Sequence, residues 1–273
     1  MTTIAAALQQ ARQVIEPGEA RLLLRHLLGC ASTWIEAHRD EALDPDVEQA
    51  FKAWVARRVA GEPIAYLLQS REFYGRSFGV GPDVLIPRPE TELIVDVVLQ
   101  KFERNAAIRI LDLGTGSGCL GITLALELRN ASVTAVDVSP AAIAIARRNA
   151  VQMQATVQWL ESDWFSVLAG EQFDLIVSNP PYIAADDAHL VRGDLRFEPP
   201  GALASGRDGL DAIRQITGSA QGFLSAGGLL LFEHGFDQAD HARTLLNSHG
   251  FSLIEQHRDL AGIVRLSGGT RSR

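Results

Sequence analysis

The spacing of the hydrophobic residues differs between the first part of the chain and the rest. In residues 1–70, apolar side chains recur at helical intervals, and the runs end at Gly29 and Gly61. Asp44 and Pro45 suit the N-cap and the first turn of one such helix. We therefore predict a small helical domain over residues 1–70.

Aromatic and β-branched residues separated by glycines follow this region. The pattern is typical of a β-hairpin, which we predict as a linker over residues 71–87. From residue 88 to residue 273, helical and strand patterns alternate. This alternation predicts an α/β domain with a mostly parallel sheet, helices on both faces, and a ligand at the carboxyl ends of the strands.

The elements of this second domain can be assigned from the periodicity. The predicted helices cover residues 89–102, 118–128, 140–149, 209–224 and 238–248. The predicted strands cover residues 107–113, 132–138, 156–161, 173–178, 229–233, 251–257 and 263–267.

Composition and charge restrict the classes of function. Hydrophobic residues make up 47% of the 273 residues, which is enough apolar material for two packed domains. A net charge of -8 disfavours binding through phosphate neutralisation, so we expect no stable complex with nucleic acid. No apolar run reaches the roughly 18 residues that a membrane helix needs, and residues 1–13 do not resemble a signal peptide.

Cysteine and histidine usage points to a reducing compartment and to a site without a metal. Cys30 and Cys119 lie in different predicted domains, so we predict no disulfide. The seven histidines lack the spacing of metal ligands. We expect a cytoplasmic, monomeric protein, in which Cys119 is a packed residue and not a nucleophile.

A glycine-rich loop follows the first predicted strand of the second domain. Residues 112–118 read Asp-Leu-Gly-Thr-Gly-Ser-Gly and open a helix, which lets the backbone turn sharply and approach a ligand. The candidate cofactor-binding residues of this loop are Asp112, Gly114, Thr115, Gly116 and Gly118. Gly121 also completes the spacing G-x-G-x-x-G, so the glycines alone do not choose between nucleotide cofactors.

Acidic residues end the next two strands. Asp137 comes about twenty residues after the loop and is placed to accept hydrogen bonds from ribose hydroxyls. Asp163 and Trp164 end the third strand, where the carboxylate can accept from an adenine amino group and the indole can cover the ring. The alternative for Asp163 is that it only caps a turn.

The most specific motif is Asn179-Pro180-Pro181-Tyr182, directly after the fourth strand. Two prolines fix the backbone and remove two amide donors, so carbonyl acceptors point in set directions. If the side-chain oxygen of Asn179 and the carbonyl of Pro180 each accept one N–H, they hold a planar amide-type nitrogen with its lone pair toward a methyl donor. Tyr182 can stack against the flat substrate group. The alternative is that the prolines only end the strand.

With this motif the chain resembles the amino methyltransferases that carry an Asn-Pro-Pro-Tyr signature, and among them the protein-glutamine methyltransferases that act on peptide chain release factors. Three other segments resemble that family as well, so the likeness covers nearly the whole chain. These segments are residues 86–92, 193–199 and 233–235. The turn at residues 259–265 departs from the family by an apolar pair where the family more often has a polar or charged residue.

The resemblance implies a fold, a cofactor and a substrate. The fold would be a Rossmann-like class I methyltransferase with a seven-stranded sheet whose last strand is antiparallel. The cofactor would be S-adenosyl-L-methionine, and the substrate would be the glutamine of the Gly-Gly-Gln loop in a class I release factor. Cofactor contacts map to residues 114–118, Asp137, Trp164 and Asn179, and substrate-amide contacts map to Asn179, Pro180 and Tyr182.

Further residues near the motif are weaker candidates. Pro181 and Glu198 are predicted to line the substrate cleft, although a solvated loop carboxylate is an equal alternative for Glu198. His234 follows a strand, and we interpret it as a hydrogen-bonded structural residue. The helical domain is expected to help bind the protein substrate, because a single glutamine offers too little surface for selectivity.

Three other functions compete with this interpretation. An adenine-amino DNA or RNA methyltransferase meets the same geometric problem at its nitrogen and uses a similar motif. An oxidoreductase with a dinucleotide cofactor would fit the second glycine spacing, but it leaves residues 179–182 without a role. A noncatalytic module with a degenerate pocket would neither bind the cofactor nor turn over.

Overall fold

The computed structural model describes residues 2–272. These residues form two compact units whose boundary lies between Ser70 and Arg71. Among residues 2–272, none of the helices combines the length and the apolar character needed to cross a membrane.

The first unit consists of helices whose ends follow ordinary capping rules. They are α1 (Ile4–Ala11), α2 (Pro17–Leu28), α3 (Ser32–Ala37), α4 (Pro45–Val59) and α5 (Ile64–Leu68). The Asp44 side chain accepts from the Asp46 amide at 2.8 Å, and Gly29 ends α2 in the left-handed conformation. Leu23, Leu24 and other apolar side chains fill one buried core inside this unit.

The second unit begins with a β-hairpin that is shorter than the predicted one. Strands β1 (Ser70–Phe73) and β2 (Arg76–Gly79) form it, and residues 80–88 have no regular structure. Phe73 and Phe78 contact each other edge to face and are buried in the core of this unit. The hairpin therefore packs as part of the larger unit, where we had predicted a separate linker.

The main sheet has seven strands in the order β5-β4-β3-β6-β7-β9-β8. The strands are β3 (Arg109–Leu113), β4 (Ser132–Asp137), β5 (Gln158–Glu161), β6 (Phe173–Ser178), β7 (Leu224–Glu233), β8 (Phe251–Arg258) and β9 (Val264–Arg271). All neighbouring strands from β5 to β7 are parallel, and β9 is antiparallel to both β7 and β8. The predicted sheet, with its antiparallel last strand, is confirmed.

Helices cover both faces of this sheet. They are α6 (Glu92–Lys101), α7 (Cys119–Glu127), α8 (Pro140–Met153), α9 (Asp211–Ala220) and α10 (Ala239–Ser248). Apolar residues of α6, α7 and α8 join one buried cluster, and those of α9 and α10 join a second. Burial on both faces explains why the central strands are almost continuously apolar.

Two strands are longer than the periodicity predicts. β7 starts at Leu224 and crosses two glycines with a register shift, and β9 continues beyond Ser267 through Gly268 and Gly269 to Arg271. The predicted strands stop short of these glycines, and glycine in a strand interior usually weakens the strand. Gly228, Gly268 and Gly269 are required here because neighbouring groups approach closely: a Cβ atom at Gly268 would lie 2.5 Å from the Leu230 carbonyl oxygen.

We expect Gly268→Ala to destabilise the second unit by about 1–3 kcal/mol, because the backbone of β7 must move to accommodate the methyl group. Chemical denaturation followed by circular dichroism measures the change in free energy of unfolding. Gly81→Ala is the control, since its added Cβ would meet nothing within 4 Å. Equal stability of the two variants would contradict this packing explanation.

Candidate active site

The cavity of interest lies where the order of the strands reverses. β3 pairs with β4 on one side and with β6 on the other, so the loops after β3 and β6 leave the sheet in opposite directions. A cavity of about 340 Å³ opens at the carboxyl ends of these strands. The residues that line it include Gly114, Gly116, Asp137, Asp163, Trp164, Asn179 and Pro181, all of them predicted from the sequence.

The glycine-rich loop is held in a left-handed conformation at three positions. Gly114, Gly116 and Gly118 have φ angles of +69°, +54° and +80°. The Gly116 amide donates to the Asp137 carboxylate at 2.8 Å, and the Ser139 amide donates to its other oxygen at 2.9 Å. Asp137 thus fixes the loop against the end of β4, and burial raises its pKa.

Asp112, Thr115 and Gly118 belong to the loop but are not among the cavity-lining residues that the structure describes. The Asp112 carboxylate is buried and accepts from the Thr115 hydroxyl at 2.6 Å and from the Gly121 amide at 3.0 Å. Burial raises the pKa of Asp112 to about 6. The hydrogen bonds to Asp112 stabilise the conformation of the loop. A direct contact between Asp112, Thr115 or Gly118 and a cofactor stays a prediction.

The polar wall of the cavity is acidic. Asp83, Asp137 and Asp163 line it, and the lining recorded for the described residues contains no Lys, Arg or His. Such a wall attracts a cation and repels a diphosphate, because opposite charges interact strongly where water is scarce. The cavity therefore suits a sulfonium cofactor better than a dinucleotide.

Trp164 forms one side of the cavity. Its backbone has a φ of +48°, and the Ser162 hydroxyl donates to its carbonyl oxygen at 2.8 Å. The indole lies over the glycine loop, since a Cβ atom at Gly114 would be 3.7 Å from the ring. A non-glycine residue in this conformation is strained, and the hydrogen bond from Ser162 helps to hold the backbone of Trp164 in it.

The Asn179–Tyr182 segment leaves β6 at the opposite side. The Ser178 hydroxyl donates to the Leu113 carbonyl at 2.8 Å, which ties the end of β6 to the end of β3. Asn179 and Pro181 line the cavity, whereas Pro180 is buried and Tyr182 is mostly covered. The Asn179 amide nitrogen donates to the Thr91 hydroxyl at 2.8 Å.

Glu233, at the end of β7, connects both ends of this segment. It accepts from the Thr91 hydroxyl at 2.7 Å and from the Tyr182 hydroxyl at 3.1 Å. Burial raises the pKa of Glu233 to about 7 and also raises the pKa of Tyr182, which stays protonated and donates. We did not assign Thr91 or Glu233 a role from the sequence, although both lie in the segments that carry the family resemblance.

Glu198 is buried within the second unit and is not a solvated loop carboxylate. It accepts from the Ile86 amide at 2.9 Å and forms a salt bridge with Arg88. Both carboxylate oxygens therefore have partners inside the protein. Glu198 joins the segment before α6 to the loop after the Asn179 motif, and its predicted contact with a substrate gains no support from this position.

His234 and Cys119 have the structural roles that we expected. The His234 ring contacts the Gly235 carbonyl at 2.9 Å and the Ser267 hydroxyl at 2.8 Å, and burial lowers its pKa. It is therefore a neutral histidine that joins β7 to β9. Burial raises the pKa of the Cys119 thiol to about 12, so no thiolate is present at neutral pH.

The turn between β8 and β9 is closed by Asp259. Its carboxylate accepts from the amides of Ala261 and Ile263, both at 2.9 Å, and contacts Arg265 at 3.4 Å. These partners lower the pKa of Asp259. Leu260 of this turn is fully exposed.

Several lining residues were missed by the sequence analysis. They come from the coil before α6, the start of α8, the end of β5 and the 3-10 helix at Pro200–Ala202 with the residue before it: Asp83, Val84, Leu85, Val138, Ser139, Ala142, Ser162, Pro199, Gly201 and Ala202. Most are small or apolar and carry no signal of a site. Within residues 2–272, no three His, Cys, Asp or Glu side chains are grouped to hold a metal ion.

Comparison with known proteins gives two family matches and a set of full-length relatives. Residues 1–68 match the model of the PrmC N-terminal domain, and residues 91–194 match that of the methyltransferase small domain. The release factor glutamine methyltransferase of Bordetella pertussis is 52% identical over 92% of this chain and 93% of its own. That of Burkholderia pseudomallei is 49% identical over 92% of this chain and 90% of its own.

Solved structures show the same fold at low identity. A 16S rRNA methyltransferase from T. thermophilus, in complex with AdoMet and guanosine, has a TM-score of 0.56 and 20% identity over 75% of this chain and 50% of its own. A methyltransferase from Pyrococcus furiosus has a TM-score of 0.56 and 18% identity over 81% of this chain and 100% of its own. The identity and coverage of the full-length relatives place the chain in the family of release factor glutamine methyltransferases.

Proposed function

We propose that this enzyme transfers a methyl group from S-adenosyl-L-methionine to the side-chain amide nitrogen of the glutamine in the Gly-Gly-Gln motif of a class I release factor. The observation that carries the proposal is the Asn179 amide at the wall of an acidic cavity. Its nitrogen is engaged by Thr91, and no described residue donates to its oxygen. That oxygen is a fixed acceptor for a substrate N–H.

Positioning is the main contribution that the protein makes to this reaction. A carboxamide nitrogen is a weak nucleophile because its lone pair is delocalised into the carbonyl group. In the proposed complex, Asn179 Oδ1 and the Pro180 carbonyl each accept one N–H of the glutamine and orient that lone pair. Well-oriented groups can supply up to roughly 7–11 kcal/mol of the barrier.

The cofactor assignment is supported by the charge of the cavity. S-adenosyl-L-methionine supplies an electrophilic methyl group on a positively charged sulfur when it is bound. In the proposed complex Asp137 accepts from ribose hydroxyls and Asp163 and Trp164 contact the adenine, which is supported by the position of all three in the cavity lining. The Pro180 carbonyl and the Asn179 oxygen remain for the substrate.

The adenine-amino methyltransferase is the rival that shares this chemistry. A net charge of -8 and the names of the full-length relatives favour the protein substrate over nucleic acid. We further propose that the helical unit contributes to recognition of the release factor, because one glutamine side chain buries too little area for selectivity. A cytoplasmic location and a monomeric state stay predictions.

The proposed function predicts one added methyl group on the glutamine of the Gly-Gly-Gln motif. The purified enzyme is incubated with S-adenosyl-L-methionine and an unmethylated class I release factor, and tandem mass spectrometry locates the methyl group. A release factor with that glutamine changed to alanine is the control. Transfer of the methyl group to DNA or RNA and not to the release factor would overturn the proposal.

Replacement of Asn179 by alanine tests the substrate acceptor. We expect Asn179→Ala to lower kcat by about 10²–10³-fold, because the substrate nitrogen loses a positioning group. Binding of S-adenosylhomocysteine, measured by calorimetry, should remain near wild type. Asn130→Ala, at an exposed asparagine outside the cavity, is the matched control. Near-normal turnover of Asn179→Ala would remove Asn179 from the mechanism.

Replacement of Asp137 by alanine tests the cofactor site. We expect a loss of about 1–3 kcal/mol in binding of S-adenosyl-L-methionine, or roughly 5–150-fold in Kd, because a partly buried acceptor and its hydrogen bond from the Gly116 amide are lost. Isothermal titration calorimetry measures this change. Glu103→Ala, which removes an exposed carboxylate, should leave Kd unaltered. The wild-type protein should give no binding heat with NADH, and tight NADH binding alone would contradict the cofactor assignment.

A further inference from the structure

Two buried side chains outside the cavity lining contact the Asn179–Tyr182 segment. Glu233 and Thr91 are both about 2% exposed, and neither is among the lining residues that the structure describes. Together they form a continuous path of hydrogen bonds from Tyr182 through Glu233 and Thr91 to the Asn179 amide. The proposed transfer reaction assigns no role to either of them.

The direction of each hydrogen bond in this path follows from the number of available protons. An ionised carboxylate can only accept, so the Thr91 hydroxyl must give its single proton to Glu233. The Thr91 oxygen can then only accept from its other neighbour. The Asn179 side chain must present its NH₂ group to Thr91, which directs its carbonyl oxygen to the other side of the amide plane.

We propose that Glu233 and Thr91 are positioning residues that fix the orientation of the Asn179 amide, so that its oxygen and not its nitrogen meets the substrate N–H. This inference rests on the proposed function, and it names the residues that give the substrate acceptor its polarity. Neither residue touches the reacting atoms.

The wrong orientation of the amide is costly for a simple reason. A flipped Asn179 would place its oxygen against the Thr91 oxygen, whose proton is already committed to Glu233. Two acceptors would then face each other in a buried place with no proton between them, which is as unfavourable as leaving a buried polar group without a partner. The flipped form would also present a donor to a substrate group that is itself a donor.

The sheet and a second buried carboxylate hold the path in place. In the parallel pairing of β6 with β7, Ser178 lies beside Phe232, so Asn179 and Glu233 follow at the same edge. Thr91 belongs to a 3-10 helix at Pro89–Thr91. The chain just before that helix is anchored at Ile86 and Arg88 by Glu198. Thr91 is therefore held by Glu233 through its side chain and by Glu198 through the chain that precedes it.

Protonation of Glu233 would remove the constraint. The titratable and charged groups that interact with its carboxyl are Tyr182 after β6, which donates a hydrogen bond, Glu90 before α6, Arg265 on β9 and the protonated thiol of Cys119 on α7. Burial is the strongest influence and raises the pKa of Glu233 to about 7. Below that pH the carboxyl gains a proton of its own, the Thr91 hydroxyl can turn toward Asn179, and kcat should fall as the pH falls.

The experiment compares two substitutions at Thr91 in the full-length enzyme with a release factor as substrate. Thr91→Val keeps the shape and removes the hydroxyl, and we expect kcat to fall by about 10²-fold with an unchanged Kd for S-adenosylhomocysteine. Thr91→Ser removes a methyl group and keeps the hydroxyl, so it should recover most of the wild-type kcat. A merely structural role of the packed threonine predicts the opposite ranking.

The pH profile separates this path from general destabilisation. In the wild type, kcat should decline as the pH falls through about 7, and in Thr91→Val this decline should disappear. Thr217→Val makes the same change at a buried threonine outside the site, whose hydroxyl bonds to Ile213, and it should keep both kcat and the profile. Melting temperatures verify that each variant is folded.

The outcomes distinguish this inference from the proposed function. A folded Thr91→Val with wild-type kcat, or a Thr91→Ser as impaired as Thr91→Val, overturns the inference while the loss of transfer in Asn179→Ala preserves the proposed function. If Thr91→Val does not fold, Glu233→Gln replaces it, since an amide cannot accept from both hydroxyls without reversing one. Persistence of the acidic decline in folded Glu233→Gln would equally overturn it.

Discussion

The pairing of β3 with β6 is the constraint on which the whole site depends. Leu113 lies beside Ser178 in this parallel register, and the Ser178 hydroxyl donates to the Leu113 carbonyl at 2.8 Å. The glycine loop and the Asn179 motif both start one residue later, so the sheet brings them to one edge. Left-handed glycines determine the conformation of the first loop, and prolines restrict the backbone of the second. The distance between the two loops is set by the register of the strands that carry them.

Buried carboxylates carry this arrangement from the sheet into the loops. Asp112 accepts from the loop and helix that follow it, Glu198 accepts from Ile86 and Arg88, and Glu233 accepts from Thr91 and Tyr182. A buried carboxylate without such partners would cost several kcal/mol, so each of them ties its segments together as a condition of being buried. The same hydrogen bonds determine which groups near the cavity can donate and which can accept. The buried carboxylates therefore determine both the conformation of the site and its pattern of donors and acceptors.

Most of the fold and part of the site could be predicted from the sequence, because periodicity, glycines and prolines act locally. The sheet, the loop at residues 114–118 and the Asn179 motif are of this kind. The missed contacts join distant residues: Thr91 and Glu233 are 142 positions apart, and Ile86 and Glu198 are 112 apart. No local pattern reports such a pair. The extension of β9 could not be predicted, because glycine normally weakens a strand and the close contact between Gly268 and β7 is visible only in the structure.

The glycine spacing that admits a dinucleotide has a different explanation in this structure. Gly121 is needed because an added Cβ would lie 2.9 Å from the Asp112 carboxylate, which accepts a hydrogen bond from the Gly121 amide. Gly121 is therefore explained by its packing against the buried Asp112 and does not indicate that the loop binds a diphosphate. What distinguishes the cofactors is the charge of the cavity wall, where Asp83, Asp137 and Asp163 favour a cation. A sequence motif fixes the shape of the loop, and residues from three separate segments decide what that shape can bind.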